Sequence, residues 1–190
     1  MARPKGIPFS EEYASSNYAE FSVSRKPDHT IKLRRLLLVL LYIIFAALYC
    51  TLFLVIWKMA PLIAILPLLL LILCYFTWKL TKIEYTYIVC QGQFHIYQVN
   101  GFNRAKEVLD VKISENGGVF PAGDEEHADT LKACTVTLDY SDGKDTQDLY
   151  VGVFSRGEDQ IAVYFTAASK LLSSLRYYGG DKVIVAYVSH

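Results

Sequence analysis

Two uncharged stretches decide the architecture of this chain: residues 36–57, LLLVLLYIIFAALYCTLFLVIW, and residues 61–78, PLIAILPLLLLILCYFTW. A helix rises about 1.5 Å per residue and the hydrocarbon core of a bilayer is about 30 Å thick, so each stretch is long enough to cross a membrane. The first stretch begins too late and is too long for a cleaved signal peptide. The short link between them predicts a transmembrane helical hairpin, with Pro61 in the first turn of the second helix.

Charges on either side of the hairpin predict its orientation. The run from Arg25 to Arg35 before the first helix holds five basic residues, Lys79 and Lys82 follow the second helix, and the link between the helices holds only Lys58. The positive-inside rule therefore places both termini in the cytoplasm of a multi-pass protein of the cell membrane. The residues expected to anchor the hairpin at the membrane interface are Arg34, Arg35, Trp57, Trp78, Lys79 and Lys82.

The net charge of zero conceals two opposite halves. Residues 1–82 hold ten Lys and Arg against four Asp and Glu, and residues 83–190 hold nine against fifteen. The second half therefore carries −6, which disfavours nucleic acid as a partner because phosphate binding needs clustered positive charge. The same charge disfavours anionic lipid, so a protein partner is the expectation for this half.

Neither apolar stretch contains Asp, Glu, Lys, Arg or His. Pathways for ions and protons usually need such groups, so the hairpin is interpreted as an anchor that can also pack against other helices. Before it, residues 1–35 form an N-terminal cytoplasmic arm that ends in a basic juxtamembrane run. Within this arm, residues 10–21 are compatible with a short helix capped by Ser10 or with a disordered segment.

From residue 83 to residue 190 the pattern predicts a cytoplasmic β domain. Alternating apolar and polar residues predict strands over 83–89, 94–99, 105–113, 131–140, 148–154 and 160–165, with loops at 116–118 and 119–129. The turn at Gln91 and Gly92 predicts a hairpin. A helix over 166–178 and a final short strand over 182–188 complete an α+β fold, an antiparallel barrel or sandwich capped by a C-terminal helix.

The arrangement resembles bacterial two-helix membrane proteins with a pleckstrin-homology-like (PH-like) cytoplasmic domain. The resemblance rests on the arm FSVSRKPDHTIKLRRLLL, on the ending DKVIV, and on the strand pair EYTYIVCQGQFHIYQVNGFNRAKEVLDV. The residues that match the pattern are Glu84, Tyr85, Tyr87, Gly92, Ile96, Arg104 and Lys106. It implies a PH-like fold in a family whose members are mostly of unknown function.

No catalytic, cofactor or metal motif is recognised. The chain has no phosphate-binding glycine loop, no G-x-S-x-G elbow and no C-x-x-C pair. The acidic loop at residues 124–129 offers carboxylates and His127, but it lacks the spacing of a calcium loop. The candidate contacts for a lipid headgroup or a partner are Arg104, Lys106 and Lys112, basic residues in an otherwise acidic domain.

Three functional hypotheses follow. The first is a non-enzymatic, membrane-anchored binding or scaffold module that presents the PH-like domain to a protein partner. The second is a structural or regulatory subunit of a larger membrane complex, assembled through the hairpin. The third is a membrane-bound enzyme that uses Cys90, Cys134 or the acidic loop.

Overall fold

The computed structural model describes residues 5–7, 17–27, 29–56, 60–143, 148–157, 159–186 and 188. The chain divides into two compact units. The sheet unit contains Met1–Lys26, Ile83–Val99 and Asn103–His190, whereas the helix unit contains Pro27–Lys82 and Asn100–Phe102. The described N-terminal residues, 5–7 and 17–26, therefore group with the strands of the sheet unit.

The helix unit is built from two apolar helices. Helix α1 spans His29–Thr51 and continues as a π-helical turn over Leu52–Ile56, and helix α2 spans Leu66–Leu80 after a 3₁₀ segment at Ala60–Ile65. Pro67 lies in the first turn of α2, where its missing N–H leaves no hydrogen bond unmade. Trp57, one of the expected interfacial anchors, lies outside the described residues.

The first sheet of the sheet unit has the order β1-β2-β3-β4. Its strands are β1 (Ala19–Ser24), β2 (Ile83–Cys90), β3 (Gln93–Asn100) and β4 (Ala105–Lys112). Gln91 and Gly92 join β2 to β3 with φ values of 53° and 81°. Two positive φ values in a two-residue loop are typical of the tight turns that match strand twist, which confirms the predicted hairpin.

The second sheet has the order β5-β7-β8-β6. Its strands are β5 (Asn116–Pro121), β6 (Val136–Asp139), β7 (Leu149–Arg156) and β8 (Asp159–Thr166), and β6 runs parallel to β8 while the other pairs are antiparallel. Two helices accompany it: a short α3 (Ala128–Lys132) between β5 and β6, and α4 (Ser169–Gly179) after β8.

One aromatic-rich core joins the two sheets and α4. Tyr87, Phe94 and Phe165 are fully buried, and their ring centroids lie 5.2–6.4 Å apart. Leu171, Leu172 and Leu175 of α4 pack into the same cluster. Their spacing along the chain places them on one side of the helix, as the predicted pattern requires.

The Tyr87 hydroxyl is a polar group inside this core, and the fold gives it two partners. It donates to the Tyr140 carbonyl at 2.7 Å and accepts from the Thr166 backbone N–H at 3.3 Å. Burial raises the pKa of Tyr87 well above its usual range, so the hydroxyl stays protonated and keeps its donor role. This side chain therefore links β2 to the neighbouring ends of β6 and β8 in the second sheet.

Several predicted elements differ from the observed ones. Within the described residues the strands form two separate sheets and not a closed barrel, and the pairing of β6 with β8 makes the second sheet mixed. The turn expected at 116–118 lies inside β5, and the strand expected over 131–140 is divided between α3 and β6. The last expected strand is a 3₁₀ turn, Gly180–Lys182, followed by a single bridge from Val183 to Val119.

The sequence pattern also fails to predict β1. Residues 19–21 end the segment 10–21, for which the sequence leaves a short helix and a disordered segment open. The structure shows an extended strand from Ala19 onward, and residues 10–16 lie outside the described part. Ala19 is fully buried in the main core, with Phe21 and Val23 packed beside it. Ser24 at the end of β1 pairs with Glu84 of β2, which lies 60 positions further along the chain, so no local signal indicates the pairing.

Replacing Tyr87 by Phe tests the buried hydroxyl. Because the Tyr140 carbonyl and the Thr166 N–H then lose a partner inside the core, we expect Y87F to lower the free energy of unfolding by about 1–3 kcal/mol. The measurement is chemical denaturation of the detergent-solubilised full chain. The matched variant Y177F removes an exposed hydroxyl and should change stability by less than about 0.5 kcal/mol. Equal effects for the two variants would contradict the role of Tyr87.

Candidate functional sites: the apolar helices and the polar clusters of the sheet unit

Among the described residues, one helical segment, Ile31–Leu54, is long and apolar enough to cross a membrane. None of its apolar window is buried inside the structure. A core helix of a water-soluble protein would be covered by its own chain, and this one is not. The segment Ile63–Lys79 is also apolar but is shorter, at 17 residues.

The two helices contact each other along a narrow stripe. On α1 the partly buried positions include Leu38, Tyr42, Ala46 and Tyr49, which recur at intervals of three and four residues. The hydroxyls of Tyr42 and Thr77 are hydrogen-bonded to each other. The remaining faces expose large apolar side chains, among them Leu36, Leu37, Leu40, Leu41, Ile43, Ile44, Leu48, Leu68, Leu71, Ile72 and Phe76. An exposed apolar area of this extent is typical of a surface that contacts lipid or other protein.

Basic and aromatic side chains meet where α1 begins and α2 ends. The Arg35 guanidinium lies 5.3 Å from the Trp78 ring centroid, and Arg35 Nε donates to Thr81 Oγ1 at 3.3 Å. The Lys79 ammonium lies 4.5 Å from the Tyr75 ring centroid. These cation–π contacts bring Arg35, Trp78 and Lys79 together at one end of the helix unit. The other two expected anchors in this unit, Arg34 and Lys82, are exposed.

In the sheet unit, β1 and β2 pair at the points where the chain leaves for the helices and returns from them. Ser24 is the register partner of Glu84, and the Arg25 N–H donates to the Ile83 carbonyl at 3.0 Å. The Lys26 N–H donates to the Asp142 carbonyl at 2.8 Å. Residues 27–82 are therefore an insertion between two neighbouring antiparallel strands, and its two ends lie side by side.

Arg25 strengthens this junction. Its guanidinium donates to Asp139 Oδ2 at 3.1 Å, to the Asp139 carbonyl at 3.2 Å and to the Tyr85 hydroxyl at 3.1 Å. The sequence places Arg25 in the basic run before the first helix. The structure assigns its charge to an ion pair across the sheet unit.

A polar cluster lies on the face of the first sheet that points away from the main core. His95 Nδ1 lies 2.8 Å from Glu107 Oε1 and 3.4 Å from Asp110 Oδ1, and the Tyr97 hydroxyl donates to Glu107 Oε1 at 3.2 Å. A β-bulge explains the grouping: Ile96 pairs with Leu109 and Tyr97 with Glu107, so one residue of β4 has no register partner. Without that extra residue, Glu107 and Asp110 would point to opposite faces.

The ligand atoms of His95, Glu107 and Asp110 all lie within 4.8 Å of one another, a geometry that can hold a divalent cation. Glu107 Oε1 is already hydrogen-bonded to His95 Nδ1 and to the Tyr97 hydroxyl, so the geometry does not require a cation. Burial, with the charges of Glu107 and Asp110, raises the pKa of Tyr97, which keeps its hydroxyl a donor at neutral pH. The sequence pattern does not indicate this cluster, because the β-bulge that creates it has no recognisable sequence signal.

The N-terminal segment covers part of this same face. Ile7 and Tyr18 are buried against Ile88, Cys90 and Tyr97. Backbone bonds join Lys5 to the start of β4: its N–H donates to the Asn103 carbonyl at 2.8 Å, and its carbonyl accepts from the Ala105 N–H at 2.9 Å. Gly6 passes close to Ala105 with a φ of +107°, a conformation that favours glycine.

The structure does not gather the three predicted basic contacts into one patch. Arg104 and Lys106 lie at the start of β4, whereas Lys112 lies at its end, about 20 Å from Lys106 along a strand that rises about 3.3 Å per residue. All three are exposed. Lys112 lies 3.4 Å from Glu115 and lines a pocket of about 350 Å³ with Gln91, Gly92, Gln93, Ser114 and Tyr178.

The acidic loop is more ordered than the sequence predicts. It forms a 3₁₀ turn at Glu125–His127 and leads into α3. Asp124 accepts from the Glu126 N–H at 3.1 Å and lies 3.1 Å from His127 Nδ1, while the His127 ring stacks on Phe120 at 4.4 Å. These contacts account for the loop as a structural turn, and within the described residues its carboxylates do not group into a set of three metal ligands.

The chain belongs to a family of bacterial PH-like domains. The family model described as "Bacterial PH-like domain (DUF6106)" matches residues 15–185. This match covers β1, both helices and both sheets, and it confirms the resemblance inferred from the sequence. No curated protein and no solved structure matches the chain. Membership of a PH-like family suggests a binding or scaffold module.

The ion pair between Arg25 and Asp139 is tested by a double-mutant cycle. Because both side chains are partly covered, we expect a coupling energy of about 0.5–1 kcal/mol between R25A and D139A in the free energy of unfolding. The matched pair Asp129 and Lys132 is also within ion-pair distance but fully exposed on α3. Its cycle should give a smaller coupling. A larger coupling for the α3 pair would be inconsistent with the junction described here.

The reactivity of Cys90 tests whether the N-terminal segment covers the face of the first sheet that points away from the main core. Burial raises the pKa of the Cys90 thiol, which lowers the thiolate fraction at any given pH. We therefore expect a chain with Cys90 as its only cysteine to react slowly with a thiol reagent at pH 8, with reaction resuming only at more alkaline pH. An exposed reference thiol, G123C in a chain without native cysteines, should follow the ordinary pKa of about 8.5. Similar pH profiles for the two thiols would show that Cys90 is accessible.

Proposed function

We propose that this protein is a non-enzymatic membrane anchor module, in which a two-helix transmembrane hairpin holds a PH-like domain at the cytoplasmic face for a protein partner. The observation that carries the proposal is the pairing of β1 with β2 around an inserted pair of exposed apolar helices.

The first step concerns the surroundings of α1. An uncovered apolar helix of this length is unstable in water and stable in a bilayer, where every backbone group is satisfied within the helix. A removable leader is disfavoured, because β1 precedes the helix and Ala19 is buried in the core of the sheet unit. The hydroxyls along the helices also have internal partners: Thr51 donates to the Ala47 carbonyl at 2.8 Å and Thr77 to the Leu73 carbonyl at 2.7 Å.

The second step is the return crossing. If α1 crosses the bilayer, the chain must cross again before Ile83, because Ile83 and Arg25 are hydrogen-bonded neighbours in one sheet. The 3₁₀ segment rises about 2.0 Å per residue and α2 about 1.5 Å, so together they extend about 34 Å, enough for a hydrocarbon core of about 30 Å. The hydrogen bond between Arg25 and Ile83 therefore supports an even number of crossings.

The third step is the side on which the sheet unit lies. Lys32, Arg34 and Arg35 precede the apolar part of α1, and Lys79 and Lys82 follow that of α2, whereas Lys58 alone lies between the stretches. The positive-inside rule favours a cytoplasmic sheet unit on these charges even when Arg25 is assigned to its ion pair with Asp139.

The fourth step is binding without catalysis. The polar groups of the sheet unit are engaged in structural contacts: Glu107 with His95 and Tyr97, and Asp124 with His127. Burial raises the pKa of both Cys90 and Cys134, which is the opposite of what a reactive thiol needs. An acidic domain with ordered, engaged side chains suits recognition of a protein surface better than chemistry on a small molecule.

The second candidate function, a structural subunit of a larger membrane complex, is favoured by the exposed apolar faces of both helices. Those faces can contact lipid or the helices of another protein. Replacing residues 29–80 by an unrelated two-helix hairpin separates the two functions. A tethered module should keep its partner in native co-purification, whereas a complex subunit should lose it.

Topology is tested with single cysteines in intact bacterial cells. We expect an impermeant maleimide to label K58C from outside, and to label G123C only after the membrane is permeabilised. Gly123 is a suitable position because it is exposed and a side chain there meets no other atom within 4 Å. Labelling of G123C in intact cells, with K58C protected, would reverse the proposed orientation. Labelling of both or neither in intact cells would contradict a two-span hairpin.

A further inference from the structure

The turn between β3 and β4 belongs to the helix unit although its strands belong to the sheet unit. Its residues Asn100–Phe102 form one compact body with Pro27–Lys82. The backbone of Gly101 lies directly against the last turn of α2: a Cβ atom added to Gly101 would lie 2.1 Å from the Lys79 carbonyl oxygen. Only glycine fits at such a close approach of two backbones.

The turn presents one large apolar side chain to its surroundings. Phe102 is 40% exposed, and it is one of only a few large apolar residues in the described chain outside the helices that are this exposed. Its backbone is held in place, since the Phe102 N–H donates to Asn100 Oδ1 at 3.1 Å and Asn103 takes a φ of 58°. The contacts that hold the turn do not cover the Phe102 ring, so they do not explain why an aromatic ring is exposed there.

The neighbours of the turn indicate which surface covers it. Lys79 and Trp78 end the apolar part of α2, and Trp78 is 43% exposed under the Arg35 guanidinium. Aromatic rings beside basic side chains are typical of the boundary between headgroups and acyl chains. Gly101 packs against the Lys79 backbone at the level of this boundary. Phe102 directly follows Gly101 and therefore extends the same belt of aromatic residues.

We propose that Phe102 is a membrane-contacting residue, so that the β3–β4 turn is a third point of attachment to the bilayer beside the two helices. The partner is the phospholipid interface, at the depth where headgroups meet acyl chains. This inference rests on the proposed function, because it requires α2 to end at a membrane surface. It adds a contact that neither the helix pattern nor the family assigns.

The test uses tryptophan fluorescence in proteoliposomes made from phosphatidylcholine brominated at shallow positions of its acyl chain. The full-length chain carries W57F and W78F, with a single reporter introduced as F102W. We expect bromine to quench this reporter strongly, and to leave unquenched the reporter Y177W, placed at an α4 residue that is 67% exposed. If F102W is quenched no more than Y177W, the proposal is overturned.

A further variant separates this inference from the proposed function. The chain with W57F alone keeps Trp78 as its single tryptophan. Quenching of Trp78 without quenching of F102W would overturn the membrane contact of the turn and leave the hairpin intact. Absence of quenching at Trp78 would overturn the hairpin itself. Adding G101A to the F102W chain should reduce quenching at residue 102, because the new Cβ pushes the turn away from Lys79.

Discussion

The rest of the structure depends on the register between β1 and β2. These strands are neighbours in one sheet, yet 58 residues of the chain, from Arg25 to Lys82, separate the end of one from the start of the other. The Arg25 N–H bonded to the Ile83 carbonyl, and Arg25 bonded to Asp139, close that insertion at its base. Because the two ends of the insertion are hydrogen-bonded to each other, the chain that forms α1 and α2 leaves the sheet and returns to it at the same place. In the proposed hairpin, the number of membrane crossings is then a consequence of sheet formation.

The same junction explains how a small domain tolerates so large an insertion. The loop-closure entropy of a long insertion grows only slowly with its length, and a core of buried aromatic residues offsets it. Tyr87 is the register partner of Phe21 in β1, and its hydroxyl links β2 to the second sheet. Gly101 brings the opposite turn of the sheet against α2 at Lys79.

Local patterns in the sequence predict most of the elements and few of their partners. The apolar runs, the Gln91-Gly92 hairpin, β7, β8 and α4 follow from periodicity and turn chemistry, which act over a few residues. The strand β1 was missed because its pattern is short and its partner is distant, and the parallel pairing of β6 has the same cause. The cluster of His95, Glu107 and Asp110 was missed because a single extra residue in β4 reverses which face Glu107 occupies. Lys106 and Lys112 share the strand β4 but not a location, since six residues of a strand extend about 20 Å.

The central claim is that β1 and β2 are paired in the membrane-embedded protein, and a disulfide between S24C and E84C tests it most directly. These register partners should cross-link rapidly under mild oxidation in native membranes when the four native cysteines are replaced by alanine. After cleavage at a protease site inserted between residues 57 and 60, the two fragments should stay joined until a reductant is added. Fragments that separate without reductant, or that cross-link only between different molecules, would contradict the claim that β1 and β2 of one chain pair in a single sheet.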